Sequence, residues 1–111
     1  MGESERKLSE VIDVRPAGQA PAGGLSSILA KTATLEVRRL IIASGRQIPT
    51  HHAPGEITVH CLEGRIAFTA AGTTRELGAG QMVLLAAGEP HSLVGLEDSS
   101  VLVTKVLLAQ P

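Results

Sequence analysis

The chain has no tryptophan and no tyrosine, and among its 111 residues there is one phenylalanine, Phe68, and one cysteine, Cys61. Each scarcity excludes something. A pocket that grips sugars or nucleobases stacks them on aromatic faces, and one phenylalanine does not supply such a surface. A lone cysteine forms no internal disulfide, so the fold is not stapled as small secreted domains are. No apolar run approaches the ~18 residues of a membrane span, and the N-terminus lacks an apolar signal-peptide core. Neither sign of charge dominates: ten Lys and Arg face eleven Asp and Glu, for a net charge of −1. The basic residues are scattered from Arg6 to Lys105, which leaves no basic face for phosphate backbones. The expectation is a cytoplasmic protein that binds neither nucleic acid nor membrane. Phosphate loops and nucleophile elbows are missing too. "GAGQMVL" (78–84) runs into a strand-like segment with no helix N-terminus, and no serine sits in an elbow motif.

What is present is a hydrophobic content of 43%, in a length that suits one domain with a small but real core. Residues 1–24 differ from the rest. "MGESERKLSE" is charged and "RPAGQAPAGG" is rich in proline, glycine and alanine, so this stretch reads as an N-terminal arm. Two readings stand side by side: a disordered arm, or one that lies across the body or a partner subunit with "VIDV" (11–14) as a short added strand.

From Leu25 onward, a single domain over 25–111, short apolar runs alternate with turn signals. "LEVRRLIIA" (35–43), "ITVHCL" (57–62), "RIAFTA" (65–70), "TRELG" (74–78), "QMVLLA" (81–86), "HSLVG" (91–95) and "VLVTKVLLA" (101–109) are separated by Gly45, Gly55, Gly64, Gly72, Gly80, Gly88 and "EDSS". Strands at this spacing predict an all-β sandwich or barrel. Residues 25–42 also score as an amphipathic helix, but the β-branched Thr32, Thr34, Val37, Ile41 and Ile42 favour strand.

Three of the four histidines fall in "PTHHAPGEITVHCLEG" (49–64), and strand parity sorts them. Side chains alternate across a strand, so Ile57, Val59 and Cys61 share one face, which is the inner one by its apolar character. His60 then points out of the barrel unless a bulge intervenes. His51 has inward parity, although Pro54 and Gly55 lie between and can reset the phase. "RR" at 38 and 39 must place one arginine on each face; the inward one would pair with an anionic ligand or, more commonly, with a carboxylate at the sheet edge. Cys61 reads as a small buried hydrophobe.

Two segments resemble the motifs of the cupin superfamily. "GRQIPTHHAPGEITVHCLEG" (45–64) is similar to the first motif, G(x)5HxH(x)3-4E(x)6G, through Gly45, His51 and Gly64. "GQMVLLAAGEPHSLVG" (80–95) is similar to the second, G(x)5PxG(x)2H(x)3N, through Gly80, Gly88 and His91. The resemblance implies a cupin-type double-stranded β-helix, a small jelly-roll barrel of the RmlC-like kind, commonly a homodimer. In metal-binding cupins, two histidines and a carboxylate of the first motif join one histidine of the second around iron, manganese, zinc or nickel.

Alignment of this chain with that pattern has two solutions. Kept strictly, it leaves Ala53 at the second histidine position and Ile57 at the glutamate position, with His51 and His91 as the surviving ligands. Ala86 then replaces the usual proline and Gly95 the usual asparagine. Shifted by one, it makes His52 the second histidine and Glu56 the carboxylate, with His91 completing a facial set and His60 as a fourth ligand. The shifted version turns Ile57, Val59 and Cys61 outward, against the apolar alternation.

The candidate metal ligands are therefore His51, His52, Glu56, His60 and His91, for a divalent ion (Zn, Fe, Mn or Ni). The corresponding function is an enzyme of oxygenase, isomerase or decarboxylase type acting on a small molecule. Ala53 and Ile57 motivate the alternative, a metal-free small-ligand binding or regulatory module. A third reading, a structural accessory, rests on the arm and on the apolar strands 81–86 and 101–109, which would bury a dimer face.

Overall fold

The structure, a computed structural model, describes residues 8–16 and 25–108. Nine strands run through the described residues: β1 Leu25–Lys31, β2 Leu35–Ile42, β3 Gln47–His51, β4 Ile57–Glu63, β5 Arg65–Ala70, β6 Thr73–Gly78, β7 Gln81–Leu85, β8 His91–Gly95 and β9 Ser99–Val106. They form a five-stranded sheet in the order β1-β2-β9-β4-β7 and a four-stranded sheet in the order β3-β8-β5-β6. Every pairing is antiparallel, so the all-β double-stranded barrel expected from the sequence is the architecture found. No helix occurs among the described residues. The helical option for 25–42 gives way to a hairpin of β1 and β2, whose turn is closed by Thr32: its Oγ1 accepts hydrogen bonds from the Thr34 and Leu35 amides.

The alternation read from the sequence fixes which face is packed. In β4 the burial repeats with period two, with Ile57, Val59 and Cys61 buried. They meet Val101 and Val103 of β9, Ile42 of β2, and Ile66, Phe68, Leu77 and Leu93 from the opposite sheet in one core between the layers. Antiparallel sheets with one face packed and one solvated show this pattern. Two turn positions require glycine. At Gly64, φ is +88°, and a Cβ would run into Asp98 and Ser99 where the β4–β5 turn crosses the start of β9. At Gly55 a Cβ would collide with the Val106 carbonyl. Side chains at either position would push the first-motif turn off β9.

Part of the arm lies within the description. Residues 11–14 form no strand pairing within this chain. Instead, Arg39 on the outer face of β2 donates from Nη2 to the carbonyls of Asp13 and Arg15, 2.9 Å each. Asp13 and Arg15 pair with each other at the surface, and that guanidinium holds the Asp13 carboxyl down at about 2. Residues 1–7 and 17–24, the remainder of the expected arm, fall outside the described residues.

Candidate functional site

Between the two sheets, beside the core, the barrel keeps a cavity of about 170 Å³. The five-stranded sheet contributes Arg38 and Leu40 of β2, Val103 and Lys105 of β9, and Ile57 and Val59 of β4. The four-stranded sheet contributes Ile48 and His51 of β3, Phe68 of β5, and His91 and Leu93 of β8. A cavity of about 150 Å³ holds a benzene-sized molecule, so this one has room for a ligand of about six to eight non-hydrogen atoms.

His51 reaches the cavity through an irregularity in β3. Ile48 pairs with Leu93 and His51 with His91, so three residues of β3 span what two residues of β8 span. Without the bulge, Ile48 and His51 would face opposite ways. Pro49 sits at this irregularity, on a strand at the edge of its sheet, where a missing amide costs least. The two imidazoles thereby meet across the ladder with ring centroids 4.2 Å apart, tilted by 59°. Phe68 backs His91 from the next strand, 5.8 Å away and nearly parallel. His91 is 5% exposed, whereas His51 lies at the open side.

The two rings are held in the same way. Nδ1 of His51 lies 3.0 Å from the Pro49 carbonyl, and Nδ1 of His91 lies 3.0 Å from the Glu89 carbonyl. A carbonyl oxygen only accepts, so each Nδ1–H donates and each Nε2 is left as the second nitrogen of its ring. Burial pushes the His91 pKa below its ordinary value. The His51 ring and the Lys105 ammonium push the same way, and the Glu89 hydrogen bond opposes them. His91 is therefore neutral at pH 7, and its Nε2 can accept a hydrogen bond or a proton from a ligand.

On the opposite wall the charges are cationic. Arg38 donates from Nε to Glu36 at 2.9 Å and from Nη1 to the Ser26 hydroxyl at 2.6 Å. Glu36, 6% exposed, is thus a buried carboxylate with an ion-pair partner. Lys105 stands opposite Glu36 in the β2–β9 ladder and opposite Ile57 in the β4–β9 ladder. Among the described residues no carboxylate lies within ion-pair distance of Lys105.

The expected ligand set is only partly assembled here. His51 and His91 come together as one pair. His52 and Glu56 are exposed in the β3–β4 connection, outside the cavity lining. His60 lies on the outer face of β4, between Met82 of β7 and Leu102 of β9. The shifted alignment that recruits His52, Glu56 and His60 requires Ile57, Val59 and Cys61 to face outward; they are 3%, 2% and 0% exposed in the core. The apolar free energy of burying three such side chains, about 1.5–3 kcal/mol each for the larger ones, sets the strand's phase against it. Arg38 is the inward arginine of the "RR" pair. Lys105 is the site residue that no motif marks; the one signal for it is the alternation of Val101 and Val103 extended by one step.

A resident divalent ion does not fit these residues. It needs three or four protein donors, and the cavity supplies two imidazoles. Nδ1–H donation to a carbonyl is how metal-bound histidines are also held, but the positions that would complete the set are Ala53 and Ile57, both packed on the core. The cavity wall adds the charges of Arg38 and Lys105, which repel a cation. No group of three or more His, Cys, Asp and Glu side chains able to hold an ion forms among the described residues.

Comparison with known proteins agrees with the fold. No curated protein matches the sequence. A conserved protein of unknown function from Streptococcus pyogenes superposes with a TM-score of 0.76 at 22% identity, covering 93% of this chain and 99% of that one. An RmlC-like cupin with a double-stranded β-helix fold from Methanocaldococcus jannaschii gives 0.75 at 13% identity, over 90% and 92%. KdgF from Halomonas sp. gives 0.72 at 20% identity, over 86% and 88%. At these identities the likeness concerns the fold. Residues 38–107 match the Cupin_2 family model, the cupin domain, and they contain both histidine-bearing segments and the two cations that line the cavity, Arg38 and Lys105. The chain belongs to the cupin domain family.

Proposed function

We propose that this cupin is a small-molecule binding module whose barrel cavity takes its ligand without a metal ion. The observation that carries the reading is the composition of the cavity. Two histidines fixed by backbone hydrogen bonds face two cationic side chains across aliphatic walls, and the positions that complete a metal site in the family hold Ala53 and Ile57. Small-ligand sites combine a mainly apolar lining with a few placed polar groups in this way.

Ligand-observed NMR against a library of molecules of about five to nine non-hydrogen atoms, run in the presence of a chelator, tests it. The expected result is a set of binders that is unchanged by the chelator and lost in Leu40→Trp. Leu40 is a partly buried lining residue, and the larger side chain fills the void instead of breaking the tightest core. Binding that appears only after a divalent ion is added contradicts the proposal.

A further inference from the structure

Two cations, Arg38 and Lys105, line one wall of the cavity, opposite the wall that carries His51 and His91. Arg38 is already engaged by the carboxylate of Glu36 and by Ser26. Lys105 has no such partner among the described residues, although it sits on an inward-facing position of β9 two residues after the buried Val103. The fixed charges beside the cavity, two cations and one carboxylate, leave one positive charge next to a small, partly open space. Lys105 is a half-buried residue, and the Glu36 carboxylate opposite it in the ladder is already taken by Arg38, so its charge lacks an ion-pair partner of its own.

We propose that the ligand of this cavity is a short, branched aliphatic monocarboxylate whose carboxylate is held by Lys105, with Arg38 beside it. The inference rests on the binding-module reading above and adds the chemical class. Three observations converge on it. The single uncompensated positive charge matches one negative charge and not two. The volume of about 170 Å³ suits a ligand body of about six to eight non-hydrogen atoms. The rest of the lining is branched aliphatic, with Leu40, Ile48, Ile57, Val59, Leu93 and Val103, which favours a branched hydrocarbon body over a flat or hydroxylated one.

The test compares two probes of equal size and shape, 3-methylbutanoate and 3-methylbutanamide, by titration followed in 1H–15N NMR spectra. Removing one charge-assisted contact weakens binding by about tenfold or more. The carboxylate is therefore expected to bind wild type about tenfold or more tighter than the amide. In Lys105→Met the carboxylate should fall to the level of the amide, and Lys105→Arg should recover most of the difference. The Arg variant keeps the comparison meaningful if the Met variant is poorly folded. Equal binding of amide and carboxylate to wild type, or carboxylate affinity unchanged in Lys105→Met, overturns the assignment of a carboxylate and leaves the binding-module reading in place. Failure of both probes to bind wild type at millimolar concentration overturns the assignment and counts against the pocket itself.

Discussion

Replacing Arg38 by methionine separates the structural part of the cationic wall from its ligand-binding part. Glu36, with its side chain 8% exposed, relies on Arg38, which is 28% exposed and bonded to it at 2.9 Å. Removing one member of a buried ion pair leaves an uncompensated charge and costs about 3–5 kcal/mol when both partners are fully enclosed. Two features lower that figure. Arg38 retains some water, and Lys105 stands opposite Glu36 on the neighbouring strand, where its ammonium can swing toward the orphaned carboxylate. The expected loss is then about 2–3 kcal/mol. For a domain of this size that lowers Tm by roughly 8–12 °C. The assay is urea and thermal denaturation followed by far-UV circular dichroism, because the chain lacks the tryptophan and tyrosine that fluorescence would use. The slope of the urea transition should not change. The double variant Glu36→Gln with Arg38→Met removes the stranded charge and should recover stability to within about 1 kcal/mol of wild type. A loss below about 0.5 kcal/mol in the single variant, within the range of an ordinary surface substitution, refutes the reasoning. So does a double variant no better than the single one.

Two further outcomes are expected. Folding lowers the pKa of His91 below its ordinary value of 6.5, so the unfolded chain binds a proton more readily than the native one. The stability owed to neutral His91 is complete above pH 6.5 and is lost as pH falls through that value toward the native one. Denaturation curves between pH 7.5 and 5 should therefore show a steeper decline for wild type than for His91→Gln, and parallel declines would contradict this. Cys61 is wholly buried, and burial pushes its thiol pKa up. It should resist a thiol-specific disulfide reagent in native buffer and react once the chain is unfolded in urea; rapid reaction with the native protein would place Cys61 outside the core.

Much of the fold was legible because the turns carry glycine and the strands alternate. The phase of β4 is legible in "ITVHCL" and favours an outward His60, while the shifted alignment that keeps His60 as a ligand needs the opposite phase. That one arginine of "RR" faces in is legible for the same reason, since adjacent residues on a strand cannot share a face; that it is Arg38 takes the structure. β3 was not recognised as a strand: "QIPTH" holds a proline, and its pairing with β8 depends on a bulge that no local signal marks. The β1–β2 hairpin was read as one run because "TAT" supplies neither glycine nor proline, and the turn instead depends on a threonine hydroxyl. Lys105 is hard to place from "VLVTKVLLA", where a single charge in an apolar run looks like a surface interruption until the strand's neighbours are known. Pairing of His51 with His91 is a tertiary register between strands forty residues apart in sequence, legible through the strict alignment with both cupin motifs and not from either segment alone.

The central claim is that this cupin barrel binds its ligand without a resident metal, and calorimetric titration of the chelator-treated, untagged protein with Zn²⁺, Mn²⁺ and Ni²⁺ tests it most directly. Two imidazoles beside two cations should give no stoichiometric site tighter than about micromolar, whereas complete zinc sites bind far more tightly. One ion per chain, bound more tightly than that and lost in both His51→Ala and His91→Ala, would contradict the account and make the histidine pair the core of a metal centre.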